Sequence, residues 1–142
     1  MKIICTLLLI LSSYILTIRA FCIYNDTKDI TLAVRQEPFN SGSNYFSRFK
    51  REALQPGESA CCPYTNTDCS KNANKEDIIF LDIMAIFYGR HQDAETFITN
   101  LPSGGWIEIH GQGPYPVEIR VFKHDGTRFE HEYDPNTGGV IL

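Results

Sequence analysis

The sequence is short of positive charge, of tryptophan and of the brief motifs that announce a catalytic centre. Its 13 Lys and Arg stand against 17 Asp and Glu, a formal net charge of −4 at pH 7. Nucleic acid and anionic lipid both attract cationic proteins, so this balance excludes nucleic acid from the expected partners and disfavours a membrane surface. There is no CxxC spacing for dithiol redox chemistry, no GxSxG elbow to present a serine, and no evident triad. Carboxylates are plentiful, but glycosidase chemistry depends on their separation in space. No catalytic residue and no cofactor is therefore expected from the sequence, although a secreted hydrolase is a rival reading.

One apolar run, Ile3 to Ile18, is long enough to raise the question of a membrane. It lies between Lys2 and Arg19 and is followed by the small residue Ala20, the layout of a secretory signal peptide. A spanning helix needs roughly 20 apolar residues, which makes an uncleaved anchor the weaker reading. The sequence thus predicts a signal peptide over 1–20 and a single secreted, extracellular domain over 21–142, within the usual size of one core. Loss of Lys2 and Arg19 leaves that domain more acidic still.

Cys5 departs with the signal peptide, and Cys22, Cys61, Cys62 and Cys69 remain. An even set in a secreted chain predicts two disulfides. A bridge between the adjacent Cys61 and Cys62 is set aside for its strained geometry. Either doublet member then bonds Cys22, and the other bonds Cys69. Neighbouring residues of a strand point to opposite faces, so a strand over "ESACC" lets the doublet fasten the N-terminal strand on one side and the loop "PYTNTDCSK" on the other.

"ITLAVR" alternates Ile30, Leu32 and Val34 with polar or small residues, the period of a half-buried strand. "NYFSRFKR", "ETFIT", "GWIEIH", "VEIRVF" and "RFEHEY" read similarly, separated by Pro and Gly turns such as Pro56–Gly57 and "GQGPYP". "NKEDIIFLDIMAIFYG" competes as a helix capped by Asn74, but it would be apolar nearly all round; as a strand it sets Ile79, Leu81, Ile83, Ala85 and Phe87 on one face. The last two strands predict a hairpin with a three-residue turn, left-handed at Gly126, placing Val121 opposite Phe129, Val117 opposite Tyr133 and Arg120 opposite Glu130. The fold expected is an all-β antiparallel sandwich stapled by two disulfides.

Several constellations invite chemistry. His110, His124 and His131 with Glu130 and Glu132 suggest a metal site, which the hairpin register does not bring together. Asn66, Asp68, Ser70 and Asn72 fall at alternate positions as in a calcium loop, but Lys71 stands where glycine is needed and Asp77 where glutamate is. Asn25 heads an "NDT" glycosylation acceptor. The basic cluster Arg48, Lys50, Arg51 reads as a solvated strand face or as a dibasic processing site. Trp106, Tyr115 and Tyr64 lie in or beside Gly- and Pro-rich loops, where rings fit sugar faces or a protein partner; the alternative for Trp106 is inward packing at the start of a strand.

"LQPGESACCPYTNTDCS", followed by an apolar strand and "LPSGGWIEIHG", resembles a group of small secreted proteins from early-diverging fungi, with a PG turn, a CC doublet, a DC and a late GGW. The resemblance implies a secreted β-rich fold and a host-facing role without an active site. Together these features predict a secreted binding or effector-like protein acting through loop aromatics on wall polysaccharide or a host protein, with a membrane-active sandwich as the rival.

Overall fold

The computed structural model describes residues 20–38, 48–88 and 94–134. Apart from Ala20, the expected signal peptide lies outside them. Among these residues nine strands follow in order: β1 (Ala20–Thr27), β2 (Ile30–Gln36), β3 (Lys50–Leu54), β4 (Ser59–Pro63), β5 (Ile78–Phe87), β6 (Glu95–Pro102), β7 (Trp106–Gly111), β8 (Glu118–Phe122) and β9 (Tyr133–Asp134). They form a four-stranded sheet, β4-β1-β7-β8, and a five-stranded sheet, β3-β2-β5-β6-β9. The all-β sandwich is as the alternation predicts.

The strand period builds the core between the sheets. Phe21, Ile23, Ile107, Ile109 and Val121 face inward from the first sheet and meet Leu32, Val34, Phe97 and the β5 row from the second. In that row Ile79, Leu81, Ile83 and Ala85 are fully buried and Phe87 is nearly so. Burial of each isoleucine, leucine or phenylalanine side chain in the row stabilises the fold by about 1.5–3 kcal/mol. The other face of β5 presents Phe80, Asp82 and Met84, half-buried. Asp82, which would be stranded on the apolar surface of a helix, here pairs in register with Arg35, and Arg35 Nη2 lies 2.6 Å from its Oδ2.

The cysteine doublet works as two fasteners. Cys61 turns outward and bonds Cys22 on β1, while Cys62 turns into the core and bonds Cys69. The first bridge closes a separation of 39 residues, worth about 4 kcal/mol in the chain-entropy account.

Two expectations need correction. The four-stranded sheet is mixed, because β1 pairs β7 in parallel, with Cys22 opposite Trp106 and Asp26 opposite His110. The final hairpin keeps its turn but not its length. Gly126 has φ 85°, Phe129 N donates to Val121 O, and Phe122 bridges Arg128. Beyond Phe129 the chain leaves the sheet, and Tyr133 pairs Thr99 of β6 in the opposite layer. Val117 therefore does not face Tyr133, and Arg120 bonds Glu118 at 2.7 Å rather than Glu130. The strand expected over "NYFSRFKR" begins only at Lys50, with 39–47 outside the described residues.

Close approach explains the glycines before Trp106. A Cβ at Gly105 would collide with the carbonyl oxygen of Phe122 on the neighbouring strand, and one at Gly104 would press on Lys75.

Candidate functional site

The outward residues of the four-stranded sheet fall into three transverse rows set by its registers. The first runs from the Cys61–Cys22 bridge to Trp106, Phe122 and Arg128. The second holds Ser59, Tyr24, Glu108 and Arg120, and the third Asp26, His110 and Glu118. First to third row spans four residues along a strand, about 13 Å, and four strands span about 14 Å across.

Trp106 begins β7, as the inward-packing alternative has it, but its ring lies on the outer face and is half-buried. Ile107 and Ile109 claim the core side of the strand, and alternation leaves Trp106, Glu108 and His110 on the other. The indole stacks on Phe122 with centroids 5.0 Å apart and planes 16° from parallel, an offset arrangement worth about 0.5–1.5 kcal/mol beyond the area covered. Arg128 Cζ lies over the Phe122 ring, 5.2 Å from its centroid. Trp106 Nε1 donates to Glu108 Oε1 at 3.0 Å.

Glu108 Oε2 faces His110 Nε2 at 3.3 Å, and Asp26 Oδ2 approaches the same nitrogen at 3.9 Å. One ligand atom from each of the three side chains lies within 4.8 Å of the others. At the sheet's edge Arg120 hydrogen-bonds Glu118 and holds that carboxyl below the usual range.

The aromatic residues nominated by sequence do not converge. Tyr64 follows Pro63, which pairs Ala20 at the start of β1. Tyr115 follows Gly111, which pairs Thr27 at the end of that strand, and is 69% exposed. The length of β1, about 23 Å, separates those two levels. Only Trp106 belongs to the face described above, where Phe122, Tyr24, Glu108 and Asp26 join it. Glu108 and His110 were legible as companions of Trp106 from the period of "WIEIH"; Asp26 was not, since its approach depends on the parallel pairing of distant segments.

The three histidines do not meet. His124, in the β8 turn, contacts Lys75 Nζ at 2.8 Å and Glu76 Oε1 at 3.4 Å. His131 is half-buried, and desolvation lowers its pKa from the ordinary 6.5, with Arg128 adding to the shift and the Phe129 backbone opposing it. In the supposed calcium loop, Ser70 Oγ and the Asn72 backbone N donate to Asp77 Oδ2 at 2.9 and 3.2 Å. The loop's own donors solvate the carboxylate that a cation would need.

Asn25 is fully buried, and its Nδ2 donates to Ile30 O at 2.9 Å and Leu54 O at 2.8 Å. Glycosylation at Asn25 would replace one of those hydrogens and require space that this fold does not leave. The basic cluster lines a groove of about 340 Å³ on the five-stranded sheet, with Arg35, Arg48, Lys50 and Arg51 set against Glu52 and Asp82. Arg51 is laddered to Val34 within β3, so a processing protease would have to unpair the strand to reach it.

The residues that carry the fungal resemblance each have a structural task. Gly57 makes its turn at φ 80°, the CC and DC cysteines form the bridges, and of the two glycines before Trp106 one admits Lys75 and the other the Phe122 carbonyl. Comparison with protein-family models, curated proteins and solved structures found no match to this chain.

Proposed function

We propose that the protein is a secreted extracellular binding protein that takes sugar units of a wall polysaccharide on the outer face of its four-stranded sheet. The carrying observation is Trp106, the chain's one tryptophan, turned outward on a rigid strand, stacked on Phe122 and hydrogen-bonded to Glu108. Sugar rings offer C–H faces to aromatic surfaces and hydroxyls to carboxylates and imidazole. Trp106, Tyr24, Glu108, His110 and Asp26 supply both kinds of group on one sheet face of fixed spacing. Two disulfides suit the oxidising conditions outside the cell.

The test is co-sedimentation with insoluble fungal and plant wall polysaccharides, with a reduced sample as control. The expected result is retention that falls at least tenfold in Trp106→Ala and persists in Tyr115→Ala, whose ring stands at the other end of the sandwich. Failure of the wild type to sediment, or full retention in Trp106→Ala, defeats the proposal.

A further inference from the structure

We propose that Asp26, Glu108 and His110 form a binding site for a zinc ion, with a coordination position left open to solvent. This inference does not rest on the sugar-binding reading, and its probe is the metal alone.

Two carboxylates and an imidazole make a mixed oxygen and nitrogen set that suits zinc, whereas calcium takes six to eight oxygens. Zinc bonds of about 2.0–2.2 Å at tetrahedral angles place neighbouring donor atoms about 3.3–3.6 Å apart. His110 Nε2 stands 3.3 Å from Glu108 Oε2 and 3.9 Å from Asp26 Oδ2, and all three donor atoms lie within 4.8 Å of one another, so side-chain shifts of about 1 Å or less close the set. All three donors sit on paired strands. Glu108 and His110 are two apart on β7, and Asp26 is the direct register partner of His110 on β1. Rigid strands restrict the entropy lost on ligation.

A residue outside the triad orients it. The Trp106 indole N–H engages Glu108 Oε1 and leaves Oε2 for the side where His110 lies, the kind of outer contact that fixes a ligating carboxylate. Asp26 and Glu108 place two negative groups beside one imidazole, while Arg120, beside Glu108, gives its hydrogen bond to Glu118. A divalent cation would balance that charge. The three side chains are 28–44% exposed, so an ion can enter directly from solvent and keep at least one water.

The experiment is isothermal titration of the untagged, disulfide-intact protein with zinc chloride, with magnesium and calcium as comparisons. The expected result is one zinc per chain, weakened more than tenfold in His110→Ala and in Asp26→Asn, unchanged in His131→Ala, and weakened about tenfold in Trp106→Phe. Far-ultraviolet circular dichroism checks that each variant is folded. No zinc uptake by the wild type, or wild-type affinity in folded His110→Ala and Asp26→Asn, overturns the site.

Discussion

Asn25, on the four-stranded sheet, donates its side-chain amide to the backbone carbonyl of Leu54 on the five-stranded sheet at 2.8 Å. Its second amide hydrogen goes to Ile30 O, and its Oδ1 accepts from Thr27 N and Oγ1. A buried polar group thereby ties the two layers where hydrophobic contacts alone would let them slide.

The glycosylation motif is therefore expected to carry structure. Asn25→Ala takes this donor from the Leu54 carbonyl, while Ile30 O keeps the Thr27 hydroxyl at 3.0 Å, and the expected loss is about 1–3 kcal/mol for a buried group left unsatisfied. Intact mass spectrometry of protein from a glycosylating host should give a mass without glycan at Asn25, and a thermal melt of the variant measures the loss.

Gly105→Ala should destabilise the protein by about 1–3 kcal/mol, because the new methyl group meets the Phe122 backbone and one of two paired strands must move. Gly57→Ala has open space at its Cβ but a φ of 80°, so its cost is left-handed strain of about 1–2 kcal/mol. Urea unfolding of both variants separates the mechanisms: steric intrusion at Gly105 should also disturb the near-ultraviolet signal of the adjacent Trp106.

Replacing Cys22 and Cys61 together by Ala should lower stability by about 4 kcal/mol, and replacing Cys62 and Cys69 should remove about 2.5 kcal/mol of loop entropy plus whatever the buried sulfurs contribute to packing. Guanidinium unfolding measures both. Equal losses would show that core packing by Cys62 and Cys69 offsets their shorter loop.

Glu37 and His131 give stability opposite dependences on pH. Burial, and then Asp82, raises the Glu37 pKa from 4.5, against the pull of Arg35 and Arg48. The folded state thus holds that proton more tightly than the unfolded state, and its contribution is lost as pH rises from 4.5 through the raised value. Glu37→Gln should therefore gain on the wild type as pH climbs across that window. His131 behaves in reverse. With its folded pKa below 6.5, the wild type loses stability as pH falls from 6.5 toward the lowered value, and His131→Gln should flatten that slope. Melting temperatures measured from pH 4 to pH 8 check both signs.

Local periodicity made much of the fold legible. The β5 row and the opposed faces of Cys61 and Cys62 follow from period two alone, and the turn at Gly126 follows from its dipeptide. What stayed hidden were the choices a strand makes among distant partners. Nothing near Arg120 says that the chain will abandon the sheet after Phe129 and so remove Glu130 as its mate. Which doublet cysteine takes Cys22 depended on which face of β4 meets the core. For the site, Trp106 was visible but its direction was not, and Asp26 became its neighbour only through a parallel ladder that leaves no local trace.

That ladder couples the two ends of the chain in time as well as in space. More than half of the sequence lies between Cys22 and the Trp106 it faces, so β1 must wait for most of the polypeptide before its second edge is filled. Folding dominated by such remote pairings is slow, and the outer face is assembled late. A chain cut short before β7 would carry Asp26 and Tyr24 beside an unpaired strand edge, open to another chain and without Trp106, Glu108 and His110 to complete the outer face.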